Sequence, residues 1–133
     1  MLIMRLCLAV AAAFACAAAA RAEDINSFRR AHGLPALAMS STLSGLAYEQ
    51  AHSMAARNHM DHLRFLVRIA GLGGGRHAEN VAWGCDSEDC VIRMWAHSAG
   101  HRANMLLRDV SAYGIASAIG ADGRKYWALE LGN

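Results

Sequence analysis

The chain has 133 residues, of which 55% are hydrophobic and 18% are charged, and its formal net charge at pH 7 is +2. Its lysines and arginines are scattered, without the basic cluster interleaved with aromatic residues that is typical of nucleic-acid-binding proteins. Composition and charge therefore argue against nucleic acid as a partner, and the length suits one compact domain with a modest core.

The first 22 residues have the features of a secretory signal peptide. Arg5 precedes an apolar run at residues 6–20, and the sequence ARA at residues 20–22 is typical of a cleavage site. The run of about 15 residues is shorter than the ~20 that a membrane-spanning helix needs. We therefore expect cleavage on export. A lipid anchor at Cys16 and an uncleaved, membrane-tethered precursor are the alternatives.

Residues 23–133 would then form the mature protein as one domain, which we expect to be secreted or periplasmic and monomeric. The loss of Arg5 and Arg21 brings the basic residues from 13 to 11, equal to the 11 acidic residues. The mature domain therefore has a net charge near zero. Its sequence contains no apolar stretch long enough to predict a membrane span.

Two cysteines remain in the mature sequence, Cys85 and Cys90, within GCDSEDCV. An even pair in an exported domain is most simply a disulfide, which would stabilise this small loop by roughly 2 kcal/mol. Two cysteines at this spacing within one helix would lie too far apart. We therefore expect Cys85 just before a helix and Cys90 in its first turn. A zinc or redox pair is the alternative, but it needs closer spacing or more ligands.

Helical patterns dominate the first part of the mature chain. The segment EDINSFRRAHG begins with acidic residues and ends at Gly33, which predicts a short helix. Apolar side chains recur at the helical period over residues 41–60, and a shorter helix is predicted around residues 63–70. Ser87 is a typical N-cap for a further helix.

The remaining segments have strand patterns. AENVAW, at residues 78–83, is apolar and is predicted to be an extended segment at the core edge. AYGIASAI and KYWALEL also have strand character, and the turn between them contains Asp122-Gly123, a strong hairpin signal. Helices followed by a C-terminal hairpin predict an α+β fold, with helices packed on a small, mainly antiparallel sheet.

The sequence HSAGH places His97 and His101 four residues apart. A zinc-binding helix of the H-E-x-x-H type carries both histidines on one face, together with a glutamate. That glutamate is missing here, and Gly100 predicts that the helix ends before His101. Ser98 lacks the strained turn of a nucleophile elbow, which argues against covalent catalysis.

A dispersed group of polar residues is a better candidate site. Glu79 precedes an apolar run, and a carboxylate buried there needs a charged or hydrogen-bonding partner. His62 and His101 are the candidate partners. The three groups could hold a divalent metal, or they could form a polar network that fixes the fold. Of the other histidines, His52 and His77 are expected to be exposed.

The mature chain resembles the CAP superfamily (cysteine-rich secretory proteins, antigen 5 and pathogenesis-related proteins), in its bacterial branch of SCP-like extracellular domains. The resemblance rests on six segments in this order: INSFRRAHGLPAL, MDH, AENVAWG, MWAHSAGHRANML, YGIASA and KYWALEL. The most specific pieces are AEN and the pattern W-x-x-S-x-G-H-R-x-N-M-L. The resemblance implies a three-layer α-β-α sandwich with a small, mainly antiparallel central sheet, in a secreted or periplasmic bacterial protein.

The same resemblance implies a shallow cleft lined by two histidines and two glutamates. The matching positions in this chain are His62, Glu79 and His101, whereas the position of the second glutamate holds Ser98. The site is therefore a triad. His62 and His101 are the candidate ligands of zinc or another divalent cation, and Glu79 is a third ligand or the base for a bound water.

Sterol or lipid binding, metal-dependent partner binding and proteolysis have all been attributed to members, so the resemblance implies no single activity. We expect a secreted, non-enzymatic binding domain whose cleft holds a divalent metal or a small ligand. Its partner is then a small molecule, a lipid or an extracellular protein.

One alternative is a metal-assisted hydrolase of peptide or cell-wall material, with Glu79 as base. Another is a structural triad, with lipid or protein binding elsewhere on the surface.

Overall fold

The computed structural model describes residues 22–133, so the predicted signal peptide and the alternatives at Cys16 lie outside the described residues, except for Ala22. The elements are α1 (Ile25–Ala31), β1 (Ala38–Met39), α2 (Ser41–Arg57), α3 (Phe65–Ile69), β2 (Ala78–Trp83), α4 (Glu88–Ala96), α5 (Ala99–Met105), β3 (Ala112–Ile119) and β4 (Lys125–Gly132). In the part of the chain that the structure describes, no helix is both long and apolar enough to cross a membrane.

Polar caps set the starts of three helices. Asp24, Ser40 and Ser87 each accept a hydrogen bond from the backbone N–H three residues later, which satisfies a donor that the helix itself leaves free. The long helix α2 ends at Asn58, which adopts the left-handed conformation with φ 48°. The short first helix, the long second helix, the shorter third helix and the cap at Ser87 are therefore confirmed.

Four strands form one sheet in the order β1-β3-β4-β2. β1 runs parallel to β3, and the other two pairs are antiparallel. The hairpin predicted at Asp122-Gly123 joins β3 to β4, and Gly123 supplies a left-handed residue there with φ 78°. The segment AENVAW is extended, as predicted, and forms β2. β1 and β2 are the two edges of the sheet.

Helices cover both faces of the sheet. On one face α2 packs against the strands, in a cluster that includes Ala47, Ala51, Met54, Val81, Ala118, Tyr126 and Ala128. On the other face α1, α4 and α5 contribute to a second cluster with Ile25, Phe28, Val91, Trp95, Met105, Ala82, Leu129 and Leu131. The predicted three-layer sandwich with a small, mainly antiparallel central sheet is confirmed.

Cys85 and Cys90 form the predicted disulfide, with their Cα atoms 5.5 Å apart. Cys85 follows the end of β2, and Cys90 lies in the first turn of α4. The Cys85 carbonyl also accepts a hydrogen bond of 2.7 Å from Trp127 Nε1. The bridge therefore holds the end of an edge strand against the start of the helix that packs beside it.

The helix break near His101 differs from the predicted one. His97 is the C-cap of α4, Ser98 is extended with φ −109°, and Gly100 lies in the first turn of α5. The prediction that Gly100 ends the helix before His101 is therefore wrong. Glycine weakens a helix interior by only about 1 kcal/mol, and in the first turn the backbone N–H groups have no helical partner in any case. His97 and His101 lie on different helices.

The two remaining histidine predictions have opposite outcomes. His52 is exposed on α2, as predicted, and its ring lies 3.9 Å from that of Tyr48. The prediction that His77 is exposed is wrong, because both of its ring nitrogens are buried and have no hydrogen-bond partner among residues 22–133. The His77 ring lies over Gly132, where a Cβ would approach its Nδ1 to 2.7 Å. The missing side chain at Gly132 makes room for the imidazole beside β4.

Candidate functional site

Glu79 is the centre of a buried polar cluster at the edge strand β2. Its side chain is only 1% exposed. His62 Nδ1 donates a hydrogen bond of 2.7 Å to Glu79 Oε1, and the Arg68 guanidinium forms an ion pair with Oε2. The buried carboxylate therefore has a partner in His62, one of the two candidates that the sequence suggested. Its second partner, Arg68, was not among them.

A second buried carboxylate lies beside the first. The register of β2 and β4 places Glu130 opposite Glu79, and the Glu130 side chain is also 1% exposed. Burial first, and then the hydrogen bond and the charge of Glu79, raise the pKa of Glu130 to about 10, against the opposing effect of Arg68. Glu130 is therefore protonated near neutral pH. The pair carries one negative charge, which Arg68 neutralises.

Arg68 is held in place by a side chain of α2 and by a backbone carbonyl just before α3. Its Nη1 donates to Gln50 Oε1 at 3.0 Å and also to the carbonyl of Leu63. Gln50 is buried in α2, and its Nε2 donates to the carbonyl of Asp61 at 2.6 Å. These contacts connect α2, the residues that follow it and α3 to the carboxylates of the sheet.

His101 lies in α5 and is partly buried, with its ring 6.4 Å from that of Trp95. Burial lowers the pKa of His101, and the positive charge of protonated His62 lowers it further. The two imidazoles are therefore electrostatic neighbours. His62 is the more accessible of the two, with 54% of its side chain exposed.

Two asparagines attach α5 to β2. Asn80 Nδ2 donates to the backbone carbonyl of His101 at 2.9 Å, and Asn104 Nδ2 donates to Asn80 Oδ1, also at 2.9 Å. A longer bond of 3.4 Å joins Asn104 Nδ2 to the Glu79 carbonyl. This polar network positions the helix that carries His101 relative to the strand that carries Glu79.

The predicted triad is therefore assembled only in part. His62 and Glu79 are in direct contact, whereas His101 makes no hydrogen bond to Glu79 in residues 22–133. Glu130 and Arg68 were not predicted from the sequence. Glu130 had a usable signal, since it is a carboxylate within the apolar strand sequence KYWALEL. Arg68 had none, because its role depends on how the segment after α2 folds back over the sheet.

The donor groups fit a two-histidine metal site better than a three-ligand one. Within the described part of the chain, no group of three His, Cys, Asp or Glu side chains is placed to hold a metal ion. His62 and His101 offer imidazoles, but both oxygens of Glu79 already have partners. Protein zinc sites usually have three or four protein ligands. Glu79 therefore suits the role of a partner behind His62 rather than that of a ligand.

An apolar groove of about 540 Å³ runs along the free edge of β2 and is lined by His101. We call this cavity the edge groove, and its lining residues are Met60, Val81, Ala82, Trp83, Gly84, Met94, Trp95, Ser98 and His101. The large side chains of Met60, Trp83 and Met94 are each 40–44% exposed. Exposed apolar side chains grouped in this way are typical of a binding surface.

The sequence profile of the cysteine-rich secretory protein (CAP) family matches residues 22–131. The chain belongs to this family. It is also 28% identical over 100 residues to the Bacillus subtilis (strain 168) protein YkwD, an alignment that covers 70% of this chain and 39% of YkwD. This CAP chain therefore spans about two fifths of the length of that curated relative.

Solved structures with the same fold include proteins from three bacteria. An outer surface protein from Borrelia burgdorferi superposes with a TM-score of 0.72 at 21% identity, covering 82% of this chain and 86% of that protein. An extracellular SCP-domain protein from Bacillus anthracis superposes with a TM-score of 0.67 at 23% identity, and the match covers 80% of this chain and 37% of that protein. A cysteine-rich secretory protein from Staphylococcus aureus superposes with a TM-score of 0.66 at 19% identity, and the match covers 81% of this chain and 35% of that protein. At these identities the likeness shows the CAP fold alone.

Ser98 has a distinct place in this CAP domain. The resemblance assigned the second glutamate of the cleft to this position, and the structure places Ser98 at the N-cap of α5, where it lines the edge groove. A second carboxylate in this part of the molecule comes from Glu130 of β4, which lies opposite Glu79 and is equally buried. The residues that line the groove therefore include no carboxylate in the described part of the chain.

Proposed function

We propose that the protein is an exported, non-enzymatic binding domain whose ligand occupies the edge groove and places a polar or anionic group near His62 and His101. The expected signal peptide supports export. The single observation that carries the binding role is the exposed apolar groove lined by one of two neighbouring imidazoles. Covering apolar surface gains about 25 cal/mol per Å², so a ligand with an apolar body suits these walls.

The charges around the groove favour an anionic group on the ligand. The Arg124 guanidinium lies 4.2 Å from the centroid of the Trp83 ring, which forms part of the groove, and its Nε also lies 3.8 Å from Asp122 Oδ2. Glu79 is buried and already paired with Arg68, so it offers little repulsion to an incoming anion.

Binding of 8-anilinonaphthalene-1-sulfonate tests this proposal, because the dye combines an aromatic body with an anionic sulfonate. We expect Met94→Glu to weaken binding by about tenfold or more, since it places a carboxylate in the groove. Met39→Glu is the matched control, because Met39 is exposed on β1 at the opposite edge of the sheet. A fluorescence titration measures both affinities. Equal affinities for the two variants would reject the edge groove as the site.

A divalent cation is a second candidate occupant, held by His62 Nε2 and His101. The hydrogen bond from His62 Nδ1 to Glu79 supports this proposal, because it orients the ring and leaves Nε2 as the free nitrogen of the neutral imidazole. A cation bound there would supply positive charge for the anionic group of a ligand.

Calorimetric titration with zinc at neutral pH examines the cation site. We expect His62→Ala and His101→Ala each to weaken zinc binding by about tenfold or more. The control His52→Ala, which removes an exposed histidine of α2, should bind zinc like the parent. The metal proposal fails if the parent releases no heat of binding, or if all three variants bind zinc equally.

Metal-assisted hydrolysis with Glu79 as base is the less favoured alternative. Glu79 would have to give up its contact with His62 or Arg68 before it could take a proton from a water molecule. The purely structural alternative draws support from Asn80 and Asn104, which hold α5 against β2. It does not explain why Met60, Trp83 and Met94 are exposed together.

A further inference from the structure

We propose that the ligand of the edge groove is an extended peptide segment with adjacent apolar residues and a carboxylate, and that it adds a short strand to the free edge of β2 at Trp83. This inference rests on the proposed function and specifies its ligand. It depends on which backbone groups of β2 face the groove, on the two walls of the groove and on the charges around it.

The register of β2 and β4 determines which backbone groups are free. Gly84 N–H donates to the Lys125 carbonyl at 3.1 Å, directly after the last paired residue of the strand. In an antiparallel ladder only every second residue bonds to a given neighbour. The backbone N–H and C=O groups of Glu79, Val81 and Trp83 therefore point away from β4, toward the free edge.

Side chains of the protein donate hydrogen bonds to the backbone carbonyls of two of these three residues. Trp95 Nε1 donates to the Val81 carbonyl at 3.1 Å, and Asn104 Nδ2 donates to the Glu79 carbonyl at 3.4 Å. These two bonds independently confirm that every second residue of β2 directs its backbone carbonyl away from β4. No comparable bond within residues 22–133 reaches the Trp83 backbone. An uncapped N–H and C=O pair on an edge strand is a template for a further strand.

The groove has an apolar wall on each side of this edge. Side chains alternate between the faces of a strand, and Val81 packs in the α2 cluster, so Trp83 lies on that face. Met60 also lines the groove. Met94 and Trp95 of α4 form the opposite wall. A peptide strand opposite Trp83 would direct successive side chains to alternate walls. Both walls are apolar, so adjacent apolar residues fit.

Charge complementarity specifies the rest of the peptide. The residues lining the groove within the described chain include no Asp or Glu, whereas His101 lines it and Arg124 lies over the Trp83 ring. A carboxylate, from an acidic side chain or from the peptide C-terminus, suits this surrounding. A non-peptide amphiphile could occupy the same walls, but it would not need the backbone N–H of Trp83.

Phage-displayed random heptapeptides, selected on the purified protein, provide the probe for this inference. We expect enriched sequences with adjacent apolar residues and a carboxylate, and Met94→Glu should weaken their binding whereas Met39→Glu should not.

Synthetic copies of the selected peptides, each with a single backbone N-methyl group, then test strand pairing. Methylation of the residue opposite Trp83 should lower affinity by about tenfold or more, while methylation of either neighbour should change it less than about twofold, because antiparallel bonds alternate.

Two substitutions of Trp83 test whether its backbone N–H takes part in peptide binding. Trp83→Ala and Trp83→Pro both remove the indole, but only proline removes the N–H, which faces away from β4 and is therefore dispensable for the sheet. We expect Trp83→Pro to bind the selected peptides about tenfold more weakly than Trp83→Ala, with equal affinity for the sulfonate dye. Thermal melts establish that both variants are folded. If the proline variant is unfolded, the N-methyl series decides alone.

The inference is overturned by any of three results: no peptide is enriched whose binding Met94→Glu weakens, the N-methyl series shows no alternation, or the folded alanine and proline variants bind the peptides equally. In each case dye binding distinguishes failure of the peptide inference from failure of the proposed function. Dye binding that still depends on Met94 leaves the groove as a site for a non-peptide ligand, whereas dye binding that is independent of Met94 removes the proposed function as well.

Discussion

Arg68→Ala is expected to lower the free energy of unfolding by about 3–5 kcal/mol, which is the usual cost of removing one partner from a buried ion pair. The substitution leaves Glu79 and Glu130 inside the protein without a cation, and both carboxylates are almost fully inaccessible to water. It also removes the contact with the buried Gln50. Urea denaturation near pH 7 measures the loss.

Arg93→Ala is the matched control for this prediction. Arg93 forms an ion pair with Asp89 on α4, but 58% of its side chain is exposed, so its loss should cost no more than about 1 kcal/mol. In the double variant Arg68→Ala/Glu79→Gln the remaining negative charge is gone, so removing the arginine should cost less than it does alone. Equal losses in the Arg68 and Arg93 variants would contradict the buried cluster.

Glu130→Gln is expected to flatten the dependence of stability on pH. The pKa of Glu130 is raised from 4.5 to about 10, first by burial and then by Glu79. Between these two values the folded protein holds a proton that the unfolded chain has released. The contribution of Glu130 to the free energy of unfolding is therefore fully present below about pH 4.5. It is lost as the pH rises toward about 10, by at most about 1.4 kcal/mol per pH unit.

Urea denaturation at several pH values between about 5 and about 9 measures this slope. The glutamine side chain resembles a protonated carboxyl group in shape and cannot lose a proton, so its variant should show a smaller fall in stability toward high pH. Glu49→Gln is the control, because Glu49 is exposed on α2 and should leave the slope of the parent unchanged. An unchanged slope in the Glu130 variant would mean that Glu130 is not the group that holds the proton.

Local signals in the sequence were sufficient for most of the fold. The N-cap at Ser87, the apolar period of α2 and the Asp122-Gly123 turn each depend on residues close together in the chain, and each is confirmed. The error at Gly100 is also local. A glycine is compatible with the first turn of a helix as well as with its end, and the sequence does not distinguish these positions.

The candidate site was harder to predict, because strand register and loop path create it. Glu79 was identified from its own apolar surroundings, but its pairing with Glu130 requires knowing how β2 and β4 align. Arg68 reaches the carboxylates only because the segment after α2 folds back across the sheet edge. The ring nitrogens of His77 are buried because the ring lies over Gly132 at the end of a distant strand. None of these contacts is encoded by spacing within one segment.

A titration with 8-anilinonaphthalene-1-sulfonate, followed by ¹H–¹⁵N correlation NMR, tests the proposed binding site most directly. A ligand in the edge groove should shift the backbone amides of Val81 and Trp83 and the indole N–H of Trp83, and leave the amide of Met39 unchanged. The main competing apolar surface is α3, where Leu66 and Val67 are 75% and 62% exposed. Saturable shifts confined to α3, with the amide and indole signals of Trp83 unmoved, would contradict the edge groove as the binding site.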